Sequence, residues 1–424
     1  MKLLYQIMGT FFLSFYCCLL QAQTVIKNNT PRDATVDYTR LSNIDTLING
    51  YVSRRWVPGV VTLIVKDGKV IQNKGYGYSN VASKKPMEPN SIFRIASQTK
   101  AIVSAGILIL YDEGKLSLQD PVSKYLPAFA HQKVLDQFNA ADTTYTTVPA
   151  KREVTIKDLL THTSGIDYPV IGSKEMTAIY AKANIPSGLG VFNDNLEDEM
   201  NELAQLPLAF QPGTQWRYGL SVDVLGAVIE VITKTSLEDF LRKNIFVPLQ
   251  MNDTWFNLPA SKASRLTSVY TEDSLHHVIP WTEKDYGVDP NYPLATKHYF
   301  SGGAGLSSTA MDYAVFLQMI MNGGSYNGKR ILSKRVTEMM LHNQLDFTFD
   351  GTNYFGLGFR IVSDKGSADH SRSEGTFDWG GFFGTTYWAD PKEHLIVLFM
   401  TQQTPNSHGD LEEKFEQILY GSFK

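Results

Sequence analysis

Cysteine is nearly absent from this chain: of 424 residues only Cys17 and Cys18 are cysteine, and both fall in an apolar N-terminal run. Lys2 is the only charge before Lys27, the run extends from about Met8 to Leu20, and Gln21-Ala22-Gln23 offers a cleavage site. Residues 1–23 therefore read as a secretory signal. No small-residue lipobox precedes either cysteine. Removal of the segment leaves a mature chain without cysteine, which excludes disulfides, thiol catalysis and cysteine-based metal sites. The run is near the lower limit for spanning a bilayer, so an uncleaved anchor is the alternative. The expected location is export, to a periplasm or the cell exterior, with no stable membrane span after cleavage.

An excess of one charge sign is also lacking. The 39 basic and 43 acidic residues are interspersed, the net charge is −4, and no basic block is present to grip phosphates, so nucleic acid is not an expected partner. The nine histidines show no H-E-x-x-H spacing, and Gly302-Gly303-Ala304-Gly305 is followed by no phosphate-binding pattern. Neither a metal nor another cofactor is expected. There are no repeats, low-complexity tracts or heptad runs. About 400 remaining residues, 43% of the chain being hydrophobic, exceed one ordinary core and favour two sub-domains.

Gly59–Lys66 and Val70–Tyr78 read as strands joined by a hairpin turn at Asp67-Gly68. A helix starts near Ser97 and ends around Asp112-Glu113-Gly114, with Gly114 suited to the position after the last turn. Helix-period spacing recurs in Thr155–Leu160 and Val222–Glu230. Leu126–Val154 resembles a surface insertion. Strand character returns at Phe355–Val362, Phe383–Ala389 and Leu395–Met400, and a closing helix covers about Leu411–Leu419. Strands at both ends with helices between them imply an α+β fold. One antiparallel sheet is built from both termini (about 40–115 and 300–424), with a mostly helical second lobe (about 116–299) and a cleft between them.

The chemistry centres on Ser97-Gln98-Thr99-Lys100, ahead of the apolar run Ala101–Leu110. If that run is helical, Ser97 and Lys100 share a face at its first turn. A hydroxyl becomes a useful nucleophile only if something takes its proton, and a buried lysine with a lowered pKa can do so. S-x-x-K arises by chance about once in a chain of this size. Its company is more specific: Phe93-Arg94-Ile95-Ala96 before it, Ile156–Leu160 with Thr161-His162-Thr163-Ser164-Gly165-Ile166, Gly302–Ala310, and Trp379-Gly380-Gly381-Phe382-Phe383-Gly384. In this order these phrases resemble the serine β-lactamase and penicillin-binding-protein superfamily in its class-C-like branch, closest to the family VIII carboxylesterases. The likeness runs from about Thr46 to the C-terminus.

The resemblance implies a β-lactamase/transpeptidase-like fold and an acyl-enzyme mechanism. Ser97 is the implied nucleophile and Lys100 its proton acceptor, with a tyrosine as second acid or base. Whether the lysine or the tyrosine takes the first proton stays open. The family's Y-x-N motif is matched literally by Tyr78-Ser79-Asn80, which precedes the nucleophile and is a decoy. The positional match is Tyr218-Gly219-Leu220, with Leu220 in place of the asparagine. Where lactamases carry Lys-Thr-Gly or His-x-Gly, this chain aligns Trp379-Gly380-Gly381, expected on an edge strand and against the substrate. The N–H groups of Ser97 and Phe382 are the implied oxyanion hole. Tryptophan cannot pair with a substrate carboxylate but can pack on an apolar group. The expectation is therefore an exported serine hydrolase acting on small acyl esters. A class-C-like β-lactamase or D-Ala-D-Ala carboxypeptidase and a non-catalytic binding or sensor protein are the rivals. The expected partner is a small-molecule ester or lactam; oligomeric state is not readable. His162 and Lys234-Thr235-Ser236 are read as structural.

Overall fold

Asp67 and Gly68 hold φ of 51° and 73°, the paired left-handed geometry of a type I′ turn, and they fold the first two long strands into the expected hairpin. The structure is a computed structural model that describes residues 23–28, 32–192, 194–282 and 287–424. Apart from Gln23, the expected signal segment lies outside the described residues.

Helix α1 (Asn43–Ser53) leads into β1 (Gly59–Lys66), β2 (Lys69–Asn80) and the short β3 (Lys85–Pro86). Helix α2 (Thr99–Asp112) follows, then α3 (Ile156–Leu160), α4 (Ser221–Thr233) and α5 (Ala310–Met321). The chain returns to the sheet with β4 (Tyr354–Phe355), β5 (Arg360–Ile361), β6 (Phe377–Gly381), β7 (Thr385–Asp390) and β8 (Leu395–Met400), and closes with α6 (Asp410–Tyr420). The eight strands form one sheet in the order β4-β5-β6-β7-β8-β1-β2-β3, with β1 antiparallel to both β8 and β2. Both ends of the chain thus build one antiparallel sheet, as the distribution of strand character predicts.

Alternation along β1 places Val61, Leu63 and Val65 in one core and Val60 and Ile64 in another. The larger core includes residues of α2, α4 and α5; the smaller holds Ile44 and Ile48 of α1 with Leu411, Phe415 and Leu419 of α6. Helices cover both faces, so β1 is buried from Gly59 to Val65 rather than alternating. Among the described residues no helix is long and apolar enough to cross a membrane.

Two local expectations change and a third gains detail. Phe355–Val362 is not one strand: the chain turns between β4 and β5, where Gly358 has φ 97° and a Cβ would lie 2.6 Å from Ser104 Oγ. The stretch read as a surface insertion contains a hairpin, Lys133–Asn139 with Thr144–Pro149. Strand β6 is interior rather than an edge. It pairs with β7 along its length but with β5 only through Phe377 and Asp378, so Trp379-Gly380-Gly381 runs past the end of β5.

Candidate active site

The nucleophile segment is clamped before it turns. Phe93-Arg94 pairs antiparallel with Ser307-Ser308, Ile95 N–H donates to Leu306 O (3.0 Å), and Tyr313 Oη donates to Gln98 O (2.8 Å). Between these anchors Ala96, fully buried, takes φ 42°, a left-handed conformation unfavourable for a residue with a Cβ. That bend starts a 3₁₀ turn, Ala96–Gln98, and α2 follows from Thr99. Ser97 therefore precedes the α-helix rather than opening it. It is half-buried and borders two recesses.

Lys100 lies in the first turn of α2, only 3% exposed. Its Nζ donates to Gly303 O (2.8 Å) and Tyr168 Oη (3.3 Å), and it sits 4.4 Å from the centroid of the Tyr218 ring. Tyr218 lies just before α4, and its Oη accepts a hydrogen bond from Trp379 Nε1 (3.3 Å). Ser97, Tyr218 and Trp379 line one recess and Lys100 lies against the Tyr218 ring, whereas Tyr78 is exposed at the far end of β2.

Burial by itself would lower the Lys100 pKa, but Tyr168, Tyr218 and the Asp223 carboxylate outweigh it and hold the pKa above an ordinary lysine. The expected depressed amine is thus corrected: Lys100 keeps its charge at neutral pH. His162 behaves oppositely. Burial, reinforced by the Lys100 charge, pushes it well below the usual histidine range. It is a neutral ring packed 5.0 Å from Tyr218, and its Nδ1 has no hydrogen-bond partner among the described residues. That places it in the wall of the site, unsatisfied at one nitrogen rather than satisfied.

The first recess, about 490 Å³, is lined by Ser97, Tyr218, Phe349, Trp379, Gly380 and Gly381, and farther out by Arg360, Arg372, Asp350, Asp378 and Glu412. Arg360 grips Asp378 with two hydrogen bonds (2.6 and 2.7 Å), and Arg372 bonds to Asp378 (2.8 Å) and to Glu416 and Glu412. The second recess is apolar, with Val170, Ile171, Leu189, Val288, Ala304 and Phe382 around Ser97. Leu220 is fully buried and does not border either recess. Among the described residues no group of three or more His, Cys, Asp or Glu side chains could hold a metal ion.

Sequence reasoning missed Tyr168 and the Gly303 carbonyl. Tyr168 stands two residues beyond the recognised Thr161–Ile166 phrase, and Gly303 lies within the recognised Gly302–Ala310 phrase without having been given a role. The two glycines of β6 differ in kind. A Cβ on Gly381 would fall 2.5 Å from Ile95 O and 2.3 Å from Thr385 Oγ1, so only glycine lets β6 lie against the nucleophile turn. On Gly380 the nearest atom would be 3.5 Å away. Gly381→Ala is expected to lower ester turnover about 100-fold by displacing β6, and to lower Tm by several degrees. Gly380→Ala should keep Tm within about 1 °C. Thermal unfolding and initial rates on both variants check this; equal Tm values for the two would contradict it.

The Beta-lactamase family model matches residues 44–420. Protein Rv1367c of Mycobacterium tuberculosis is 32% identical over 364 residues, covering 82% of this chain and 86% of its own. Esterase EstB of Burkholderia gladioli is 28% identical over 375 residues, covering 85% and 90%. Among solved structures, EstCE1, described as a hydrolase with promiscuous acyltransferase activity, superposes with a TM-score of 0.78 at 25% identity, covering 91% of this chain and 99% of its own. With a family model spanning nearly all of the described fold and a serine, a lysine and a tyrosine gathered at one recess, this chain belongs to the Beta-lactamase family and is a serine hydrolase.

Proposed function

We propose that the protein is an exported esterase that cleaves small acyl esters through an acyl-enzyme on Ser97. Export rests on the leader-like residues 1–23. The preference for esters rests on one observation. The cavity beside Ser97 has Trp379 where a substrate carboxylate would need a cation, and its two arginines are already paired with Asp378. Asp350 and Glu412 add further negative charge to the same wall. A leaving group bearing a carboxylate meets repulsion there; a neutral alcohol meets aromatic surface.

The mechanism uses the form of the Lys100–Tyr218 pair that has lost one proton; with the vacancy on the Tyr218 oxygen, the amine 4.4 Å from the ring and the Trp379 N–H both support it. Ser97 Oγ bonds to the ester carbonyl carbon as its proton passes to Tyr218. Negative charge collects on the carbonyl oxygen, facing the N–H groups of Ser97 and Phe382. The ester C–O bond then breaks, and the alcohol oxygen leaves with the proton from Tyr218. Water gives a proton to Tyr218, attacks the acyl carbon, and Ser97 recovers that proton as the acid departs. The alcohol must lie near Tyr218, so it occupies the aromatic cavity, and the apolar recess, about 30 Å³, takes only a short acyl group.

A nitrophenyl ester of a short acid and a chromogenic cephalosporin, compared on the purified mature protein, test the reading. The ester is expected to exceed the lactam in kcat/KM by about 100-fold. Rapid lactam turnover with slow ester cleavage would overturn it in favour of a lactamase.

A further inference from the structure

Asp223 is a charged residue within an apolar helical run, and its carboxylate is not used to cap its own helix. It stands in the first turn of α4, where an acidic side chain normally faces free helical N–H groups, yet it is fully buried and reaches elsewhere. Oδ1 accepts hydrogen bonds from Ser301 Oγ (2.7 Å) and Tyr299 Oη (3.1 Å). Oδ2 lies against the backbone of Gly303 without a well-formed hydrogen bond. A Cβ on Gly303 would be 2.4 Å from that oxygen and 3.3 Å from both Lys100 Nζ and Tyr168 Oη. The missing side chain of Gly303 is the gap across which the carboxylate faces the amine.

We propose that Asp223 is a positioning residue: its carboxylate, facing Lys100 across Gly303, holds the positive charge of that amine beside Tyr168 and Tyr218. The inference rests on the roles proposed for Ser97, Lys100 and Tyr218. The groups around the pair come from several segments. Tyr168 and His162 follow α3, Tyr218 precedes α4, Tyr299 and Ser301 lie on the loop before α5, and Glu199 acts on Tyr299 from outside. His162 is neutral, and Asp223 is the carboxylate that acts on the amine. Burial raises the Asp223 pKa above that of an ordinary carboxyl, and Lys100, Ser301, Gly303 and Tyr299 limit the rise by favouring its anion. The two hydroxyl donors on Oδ1 favour the anion, which accepts from both.

Measured through the place of the absent Gly303 Cβ, 2.4 Å from the carboxylate oxygen and 3.3 Å from the amine, the two groups lie within the reach of about 4–6 Å over which an opposite charge moves a pKa by one or more units. Without the anion, Lys100 releases its proton more easily, so the pair reaches its working form at lower pH. The vacancy then moves from the Tyr218 oxygen to the Lys100 nitrogen, away from the reacting atoms, and the plateau rate falls.

The rate at which a fluorophosphonate labels Ser97, followed by mass spectrometry from about pH 5 to 9, reads both effects without requiring a particular ester. Asp223→Asn is expected to move the acid limb down by about one pH unit and lower the plateau about 30-fold. Asp223→Glu, which keeps the charge, should leave the limb within about 0.3 unit of wild type even where the plateau falls. A wild-type limb in Asp223→Asn, or the same shift in both variants, would reduce the residue to packing and overturn the inference. If Asp223→Asn does not fold, Ser301→Ala removes a donor from Oδ1 and should shift the limb the same way by less; no shift overturns the inference equally. The two proposals fail separately. Labelling of wild-type Ser97 with no ester turnover strikes the esterase reading alone, whereas ester turnover with an unmoved limb strikes only the role of Asp223.

Discussion

Ser97→Ala is expected to lower kcat/KM for a short-chain nitrophenyl ester by about four to six orders of magnitude. Covalent labelling by a fluorophosphonate should vanish as well. The magnitude follows from the route: without Oγ there is no acyl-enzyme, and what remains is binding plus carbonyl polarisation by the backbone donors. Stability should scarcely change. The bend at Ala96 is maintained by Ile95, Thr99 and Gln98, which bond to Leu306 and Tyr313, and none of these contacts uses the Ser97 side chain. Tm within about 1 °C of wild type, together with lost turnover, separates a missing nucleophile from a damaged fold. A variant that kept full hydrolytic activity would refute the assignment of Ser97 and the acyl-enzyme with it.

The legible parts of this molecule are those in which local chemistry and tertiary structure agree. Asp67-Gly68 suits only a tight turn, and a tight turn is what it makes. The run Ala101–Leu110 is a buried helix because every residue in it is apolar or small. The phrase around Ser97 places the nucleophile, yet not the backbone under it: nothing in Ile95-Ala96-Ser97 signals that alanine adopts a positive φ, since the cause lies in anchors more than 200 residues away at Leu306 and Tyr313. Phe355–Val362 reads as one strand by composition, but contacts from Met340 and Ser104 press on Gly356 and Gly358 and divide it. The Lys100 charge state shows the same limit. Burial is readable as a force that depresses an amine; the opposing hydroxyls of Tyr168 and Tyr218 and the Asp223 carboxylate converge only in three dimensions. Asp223, a lone charge between Val222 and Val224, carries a signal of burial that the sequence reading did not use.

Lys100→Met should be the most informative of the remaining substitutions, because it alters activity and stability by different physics. Methionine fills the space of the lysine stem but cannot share a proton or hold charge, so kcat is expected to fall about 1,000-fold or more while KM changes little. The Gly303 carbonyl and the Tyr168 hydroxyl each lose a donor. Asp223 keeps its buried carboxylate without the opposing charge, a situation that costs about 3 kcal/mol when one partner of a buried pair is removed. For a chain of this size that is a fall in Tm of roughly 3 °C at neutral pH. The deficit should depend on pH in a definite direction. Burial already raises the Asp223 carboxyl, and loss of Lys100, one of the groups that pull it down, raises it further. A carboxyl whose folded pKa stands above its unfolded value takes up a proton on folding, so its contribution is most favourable below the unfolded pKa. That contribution is lost as pH climbs from the unfolded pKa to the folded one. Lys100→Met should therefore approach wild-type stability near pH 4 and fall progressively behind toward neutrality. Thermal unfolding of both proteins across that range decides the matter. A constant Tm difference would mean that the lost interactions are neutral hydrogen bonds alone and that the Lys100 charge has no buried counterpart in Asp223.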